Sequence, residues 1–240
     1  MKKFAVVAGI VTFFLIVFLF MPQAKIAKEY VVLKVKGKKT VADRMAEFGP
    51  AVEARLSPQF QSAGVSFPPN KVTYLAFKFE KLFEVYAANA TDGWKKICSY
   101  PILAASGNLG PKLQEGDRQV PEGIYRIESF NPNSLFHLSI KVNYPNDLDK
   151  ANALIDKRDN LGGDIMIHGN QMSIGCIALG DQAAEDIFVL TSMVGREHVK
   201  VIISPIDFRT RSRSLPASIA SLPKWTKALY HDIDSELQQY

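Results

Sequence analysis

A histidine and a cysteine in the C-terminal half of the chain lie at a spacing that could support nucleophilic catalysis. His168 ends an apolar run, and Cys176 follows eight positions later in a Ser-x-Gly-Cys element. The thiolate is the reactive form of cysteine, but a free thiol with a pKa of about 8.5 is mostly protonated at neutral pH. An imidazole that a turn brings next to the sulfur could accept that proton and later return it. The segment therefore fits a cysteine nucleophile served by a histidine base.

Two glycines and a serine around this pair could assist the same chemistry. Gly169 lets the backbone approach the imidazole, and its carbonyl could fix the imidazole tautomer. Gly175 leaves the approach to the sulfur open. Backbone N–H groups near Cys176, together with Ser173, could stabilise the oxyanion of an acyl-transfer reaction.

Less reactive interpretations of the same residues stay open. His168 could be a hydrogen-bonded core residue and Cys176 a buried thiol. A disulfide between Cys98 and Cys176 is compatible with an oxidising compartment. The sequence contains no zinc-protease helix, nucleophile elbow, phosphate loop or dinucleotide fingerprint, so the enzyme classes that use those motifs are disfavoured.

The composition is that of an ordinary globular protein. Hydrophobic residues make up 47% and charged residues 22% of the 240 positions, which excludes a disordered, collagen-like or multi-pass membrane chain. The net charge of +5 is mild and the basic residues are scattered, so no nucleic-acid partner is expected. Two cysteines are too few for a disulfide-stapled scaffold or a four-thiolate zinc site.

The N-terminal segment predicts export. Lys2 and Lys3 precede an uninterrupted apolar run over residues 4–21, the pattern of a secretory signal, yet the run is also close to a membrane-spanning length. Pro22 makes the following residues a poor cleavage site. Residues 1–24 are therefore either a signal peptide or an inner-membrane anchor, and either one predicts a periplasmic body.

The rest of the chain divides into three segments. Residues 25–70 are predicted to be a linker and an N-terminal helical segment, with a linker or edge strand at 25–40 and a helix broken at Gly49-Pro50. We expect the catalytic domain at 71–206. Residues 207–240 predict a C-terminal amphipathic helix packed on that domain.

Short strands separated by turn signals dominate the predicted catalytic domain. Strands are expected at 72–79, 82–88, 94–103, 124–127, 135–142, 165–168 and 199–203, with a helix at 181–194. Because strands and helices do not alternate regularly, a doubly wound parallel sheet is disfavoured. The predicted fold class is mainly β with peripheral helices (α+β), built on a sandwich or barrel-like sheet.

Several motifs, in order along the chain, resemble the L,D-transpeptidase (YkuD-type) catalytic domain and its YafK-like branch. The resemblance extends over roughly residues 45–240. It rests on His168-Gly169, Ser173-x-Gly175-Cys176-x-x-Leu179, Gly110-Pro111-Lys112, Pro121-Glu122-Gly123, Phe136-His137-Leu138-Ser139 and Asn143-Tyr144-Pro145-Asn146.

The resemblance implies a fold and a set of catalytic roles. The fold would be the L,D-transpeptidase-like sandwich or barrel. Cys176 would be the nucleophile and His168 its general base and then acid, with Gly169 orienting His168 through its carbonyl. Ser173 would shape the turn, and the backbone of Gly175 and Cys176 would stabilise the oxyanion. No metal or organic cofactor is implied.

The reaction implied by the resemblance takes place on peptidoglycan stem peptides. The family attacks the carbonyl of the L-centre of meso-diaminopimelate, forms a thioester, and releases it to an amine or to water. Many members carry arginine or asparagine where this chain has Ala178. A hydrolase that releases murein-linked envelope protein is therefore an alternative, and a non-catalytic peptidoglycan-binding module is a second one.

Five further residues are predicted to bind the substrate. Lys112 could pair with a substrate carboxylate, and His137 could line the site from its strand. Asn143 and Tyr144 could line the same groove, as could Asn170, which lies in the turn between the two catalytic candidates. The sequence leaves the oligomeric state open.

Overall fold

The computed structural model describes residues 22–90, 92–210 and 222–240. Residues 1–21, which hold most of the predicted signal or anchor, lie outside these ranges. Within them, no helix is both long and apolar enough to cross a membrane.

The described chain forms five α-helices, a 3-10 turn at Arg196–His198, and nine strands. The helices are α1 (Pro22–Lys36), α2 (Val41–Ala63), α3 (Asp147–Ile155), α4 (Asp181–Val194) and α5 (Thr226–Leu237). The strands are β1 (Lys71–Phe77), β2 (Leu82–Ala88), β3 (Lys95–Pro101), β4 (Ala104–Ala105), β5 (Gly123–Asn131), β6 (Ser139–Val142), β7 (Met166–His168), β8 (Ile177–Ala178) and β9 (Val199–Ser204).

The strands form one curled sheet in the order β3-β2-β1-β9-β5-β6-β7-β8-β4. The last strand, β9, lies near the centre, parallel to β1 and antiparallel to β5. Strand β5 pairs with β9 over Gly123–Arg126 and with β6 from Ile127 onward, with an irregular register between Ile127 and Ser129. It thereby joins the hairpin half of the sheet to the half that carries His168 and Cys176, and the predicted mainly β, α+β class is confirmed.

Side chains that alternate along the central strands fill two cores, one on each face of the sheet. From β1, Val72 and Tyr74 enter the larger core, which also contains residues of α2 and α4. Leu75 and Phe77 enter the smaller core, where they pack against α5. Of the predicted segment 207–240, Thr226–Leu237 form a helix that packs on the sheet, and residues 211–221 lie outside the described ranges.

Helix α1 corrects the expected linker or edge strand at 25–40. The valines in this stretch suggested a strand, but most of the other residues are lysine, alanine, glutamate and leucine, which favour helix. Lys25 forms an ion pair with Asp181 at the start of α4 (Nζ to Oδ2, 3.1 Å).

Helix α2 runs through the expected break at Gly49-Pro50 without interruption. An internal proline removes a backbone hydrogen bond and costs about 3 kcal/mol. Val52, Leu56 and Phe60 are almost completely buried on the same helix. Burial of such side chains contributes about 1.5–3 kcal/mol each, so the three together can offset the cost of Pro50 and of Pro58, which also lies inside the helix.

The hairpin predicted at 82–88 and 94–103 is confirmed, because β2 pairs antiparallel with β3. The strand predicted at 135–142 is shorter than expected and begins only at Ser139. His137 has a φ of 74°, a left-handed value that an extended strand does not allow. The chain therefore turns at His137 before β6 begins.

Candidate active site

Two short parallel strands bring the histidine and the cysteine together. Ile167 lies opposite Ile177 and His168 opposite Ala178, so Cys176 is adjacent in register to Met166. The Cys176 Sγ lies 3.4 Å from the Met166 amide nitrogen and 3.6 Å from the Asp164 carbonyl oxygen. The nucleophile candidate is thus fixed at the beginning of β8, beside the strand that ends in His168.

The His168 imidazole is buried and held in one tautomer. Its Nδ1 lies 2.6 Å from the Gly169 carbonyl oxygen, which can only accept a hydrogen bond, so Nδ1 carries the proton. The Phe136 ring packs on the imidazole with centroids 4.7 Å apart. Burial lowers the pKa of His168 below its usual value. At neutral pH the ring is therefore neutral, with Nε2 available as a base.

The Cys176 thiol is also neutral in this conformation. Burial raises its pKa, against the smaller opposing effects of the Met166 amide and the Lys112 charge. Within the described part of the chain, the hydrogen bonds of Sγ go to Met166 and Asp164, and none goes to His168. Proton transfer to the imidazole therefore requires the thiol to turn away from the Asp164 carbonyl.

Two serine hydroxyls hold the backbone next to the sulfur. Ser173 Oγ donates to the Cys176 carbonyl oxygen (2.6 Å) and accepts from the Cys176 amide (3.1 Å). Ser106 Oγ accepts from the Gly175 amide (2.5 Å) and donates to the Arg118 carbonyl oxygen (2.8 Å). The expected turn-shaping role suits Ser173, but both amides expected to form the oxyanion hole are already bonded to hydroxyls.

The two glycines of the motif meet different constraints. A Cβ at position 169 would lie 2.8 Å from the Phe136 carbonyl oxygen and 2.9 Å from Asp181 Oδ1, so no larger residue fits without a backbone shift. Gly175 has more room but adopts a φ of 95°, which disfavours any other residue. Packing thus selects Gly169, and backbone conformation selects Gly175.

Lys112 and Tyr144 do not face the site as free binding groups. Lys112 is buried, and its Nζ donates to Asp117 Oδ1 (2.5 Å) and to the Gln114 carbonyl oxygen (2.8 Å). The Tyr144 hydroxyl donates to the carbonyl oxygen of Lys112 (3.3 Å). The Lys112 amine is therefore already paired within the protein, and its expected contact with a substrate carboxylate stays a prediction.

The other three predicted binding residues support the site from behind or beside it. His137 Nε2 lies 3.0 Å from Glu185 Oε1 on α4. The backbone N–H of the buried Asn170 donates a hydrogen bond to Asp181 Oδ1 (2.7 Å). The Asn143 side chain accepts from the Arg126 amide (2.7 Å) and borders a cavity. Of the five, Asn143 and Tyr144 line that cavity, while His137 and Asn170 brace the turn against α4.

The sequence interpretation missed Phe136, Asp164 and Ser106 as contributors to the site. Phe136 belongs to a motif quoted above, but only its neighbour His137 was assigned a role. Asp164 follows Gly162-Gly163, a turn signal that precedes the apolar strand. No local pattern pointed to Ser106, because it contacts Gly175 across 69 positions of sequence.

A comparison with known families decides the identity of the domain. The sequence model of one protein family, the L,D-transpeptidase catalytic domain (YkuD), matches residues 80–203 of this chain. This range is more than half of the chain. The chain belongs to the L,D-transpeptidase family. The matched range contains both His168 and Cys176 together with most of the sheet.

The chain is also similar to individual proteins. A candidate L,D-transpeptidase of Escherichia coli K12, YafK, is 33% identical over 134 residues, which are 54% of this chain and 52% of that protein. The chain thus aligns with about half the length of this relative. The cell shape determining protein Pgp2 of Campylobacter jejuni is 26% identical with a TM-score of 0.47, over 57% of this chain and 49% of that one.

A second solved structure is more distant. Bd1075 of Bdellovibrio bacteriovorus is 20% identical with a TM-score of 0.42, over 72% of this chain and 55% of that one.

In the ranges described here, no group of three or more histidine, cysteine, aspartate or glutamate side chains could hold a metal ion.

Proposed function

We propose that this L,D-transpeptidase family member is an acyltransferase that uses Cys176 as its nucleophile on peptidoglycan stem peptides. The observation that carries the proposal is the His168 ring, whose Nδ1 bonds to the Gly169 carbonyl oxygen, so that the proton lies on Nδ1 and Nε2 is left unprotonated to act as a base. The atom attacked is the carbonyl carbon at the L-centre of meso-diaminopimelate. The sequence motifs support this substrate class.

The first half-reaction forms a thioester. The Cys176 thiol passes its proton to His168 Nε2, and Sγ attacks the carbonyl carbon to give a tetrahedral oxyanion. As this intermediate collapses, the C–N bond breaks and the imidazolium returns the proton to the leaving amine. The second half-reaction reverses these steps with an acceptor amine, which loses a proton to Nε2 and takes the acyl group from sulfur.

The oxyanion needs hydrogen-bond donors, but in this structure the two candidate amides already donate to other groups. The amides of Gly175 and Cys176 are bonded to neutral serine hydroxyls. A negatively charged oxygen is a stronger acceptor than a hydroxyl, so it can displace Ser106 or Ser173 from these amides as charge develops. The hydroxyls then serve to keep the two amides in place before substrate arrives.

The proposed compartment is the periplasm, with residues 1–24 as the export signal or as an inner-membrane anchor. This proposal rests on the basic start and apolar run of the sequence alone. Peptidoglycan is the substrate that such a location makes accessible.

The decisive experiment is digestion of isolated muropeptides, with the products identified by mass spectrometry. Wild-type protein should yield exchanged or cross-linked stem peptides when an acceptor amine is added. Cys176→Ala should yield none, whereas the matched control Cys98→Ala should behave as wild type. Identical products from wild type and Cys176→Ala would refute the proposal. Release of shortened peptides alone, whatever the acceptor concentration, would refute the transferase assignment and favour a hydrolase.

A further inference from the structure

A charged cavity of about 630 Å³ is lined in part by Asp164, whose carbonyl oxygen contacts Cys176 Sγ. Its lining includes Glu128, Lys141 and Asp164, with Asn143 and Tyr144 at its side. Lys141 Nζ lies 3.1 Å from Asp164 Oδ1 and 3.5 Å from Glu128 Oε2. On this side of the cavity the Lys141 ammonium lies between two carboxylates, while Glu115, Asp147 and Lys150 line the rest of the cavity.

Asp164 connects this cavity directly to the sulfur. Its carbonyl oxygen lies 3.6 Å from Cys176 Sγ, while its carboxylate pairs with Lys141. The residue has a φ of 55°, a left-handed conformation that aspartate tolerates better than most side chains. Asp164 thus contacts the sulfur with its backbone and the cavity lysine with its side chain.

The strand register gives a second measure of the distance between Lys141 and Cys176. Lys141 lies opposite Met166 in the β6–β7 register, and the Met166 amide contacts Cys176 Sγ. Two strand spacings of about 4.8 Å place the Lys141 backbone about 10 Å from that of Cys176. The lysine side chain can cover part of this distance.

The arrangement matches a group that carries an ammonium and a carboxylate on one carbon. Such a group offers its two charges about 3 Å apart, close to the separation of the charges in the Lys141–Asp164 pair. In diaminopimelate, the free amino-acid end lies about 6 Å from the carbonyl carbon that the thiol attacks, when the side chain is extended. Asp164 and Glu128 also raise the pKa of Lys141, so its amine stays charged.

We propose that this cavity binds the free amino-acid end of the diaminopimelate side chain, with Lys141 receiving its carboxylate and Asp164 and Glu128 its ammonium. The proposal rests on the proposed function, because it assigns a subsite for that substrate. It makes Lys141 a specificity-determining residue and Asp164 a positioning residue for the reacting carbonyl.

The test compares three donor stem peptides by kcat/KM. One carries meso-diaminopimelate, one carries the same residue with its D-centre carboxylate amidated, and one carries L-lysine, which lacks that carboxylate. Wild-type protein should prefer the first over the other two by about tenfold or more, the usual worth of a charge-assisted hydrogen bond. Lys141→Gln should lose this preference by slowing only the first donor.

Three variants separate recognition from folding. Lys141→Arg keeps the positive charge and should keep most of the preference. Asp164→Asn should slow both the diaminopimelate and the lysine donors, since both present an ammonium. Lys200→Gln is the matched control, because Lys200 is a strand lysine paired with Glu236 away from this cavity, and its variant should match wild type.

The outcomes distinguish the two proposals. If wild type acts on all three donors equally, or if Lys141→Gln slows them equally, the subsite is refuted while the proposed function stands. If wild type acts on none of the donors and Cys176→Ala behaves identically, the proposed function is refuted and the subsite with it.

Discussion

At the scale of single residues, the resting site consists of a neutral thiol beside a neutral imidazole. Burial shifts the two pKa values in opposite directions, lowering that of His168 and raising that of Cys176. A thiolate–imidazolium pair is therefore not the ground state. Under the proposed function, Cys176 would lose its proton to His168 only when the thiol turns toward Nε2.

This neutral pair predicts the pH dependence of alkylation. In Cys98→Ala protein, the rate of Cys176 modification by iodoacetamide should rise with pH and approach its half-maximum above the usual thiol value of about 8.5, because the thiolate forms only there. The modified peptide can be followed by mass spectrometry. A rate that is already at its plateau below pH 7 would contradict the prediction and indicate a preformed ion pair.

Cys98 supplies the comparison in the same chain. Burial raises the pKa of this thiol to about 11. In Cys176→Ala protein, Cys98 should therefore resist the reagent across the range in which Cys176 becomes reactive. Equal labelling rates for the two thiols would mean that their environments do not differ as described.

Gly169 gives a second prediction at this scale. Gly169→Ala should destabilise the fold by about 1–3 kcal/mol and lower activity, since the new Cβ would lie 2.8 Å from the Phe136 carbonyl oxygen and displace the carbonyl that holds His168. Thermal unfolding and muropeptide turnover measure the two effects. Gly93→Ala is the control, because a Cβ there would meet nothing within 4 Å. Wild-type stability of Gly169→Ala would show that the turn can relax.

At the scale of elements, an ionic contact joins helices α2 and α4 behind the site. Arg55 donates to Asp186 Oδ1 (2.7 Å) and to Glu185 Oε2 (3.1 Å). Tyr100 donates to the other Asp186 oxygen (3.0 Å). Asp186 is almost fully buried, and burial raises its pKa in spite of these partners. Helix α4, which braces the turn between His168 and Cys176, is thus tied to α2 through two neighbouring carboxylates.

Removing the arginine should destabilise this contact in a pH-dependent way. Arg55→Met should cost about 3–5 kcal/mol near neutral pH, because it leaves a buried carboxylate uncompensated. A carboxyl whose pKa is raised in the folded state binds protons more readily there than when unfolded, so stability increases as pH falls through that range. The loss in Arg55→Met should therefore be smaller near pH 5.

Urea unfolding at the two pH values measures this effect. The double variant Arg55→Met with Asp186→Asn should recover much of the loss at neutral pH, since it removes the buried charge. An equal loss for Arg55→Met at both pH values would mean that Asp186 does not carry the energetic cost.

The elements also show what the sequence could and could not predict. The β2–β3 hairpin was predictable because its strands are neighbours in sequence and its turn residues are local. Helix α2 was predicted with a break because the cost of Pro50 is local, whereas the burial of Val52 and Leu56 depends on the rest of the fold. Local preferences thus gave the element types, and tertiary packing decided their limits.

The candidate site divides in the same way. The types and spacing of His168 and Cys176 suggested the chemistry, and Gly169 suggested the tautomer. The roles of Ser106 and Asp164 depend on long-range approach, which no spacing reveals. Lys112 is predicted to pair with a substrate carboxylate, yet in the structure Asp117 already binds its amine.

At the scale of the whole molecule, a buried charge cluster links the two faces of the sheet. Glu122 is fully buried and pairs with Lys78 (Nζ to Oε1, 2.9 Å). It also accepts hydrogen bonds from the Gly110 amide (2.7 Å) and, on its other oxygen, from the Tyr230 hydroxyl of α5 (2.6 Å). The C-terminal helix thereby holds the loop that follows Ser106, although it packs on the face away from α2 and α4.

This cluster predicts a ranking of stability losses. Lys78→Met should cost about 3–5 kcal/mol because Glu122 keeps its buried charge without a counterion. Tyr230→Phe should cost less, about 1.5–3 kcal/mol, the worth of one hydrogen bond to a charged group. Chemical denaturation of the two variants measures the ranking. A loss in Tyr230→Phe that equals or exceeds that in Lys78→Met would contradict the assigned roles.

The position of β9 has a consequence for how the chain acquires its structure. The strand lies between β1 and β5, so residues 71–77 obtain their parallel partner only when residues 199–204 are available. The two halves of the sheet therefore join after nearly the whole domain has been synthesised. Contacts of such long sequence separation slow folding. If the chain is exported as proposed, it would reach the translocation machinery before β9 pairs with β1 and β5. The sheet would then be completed on the far side of the membrane.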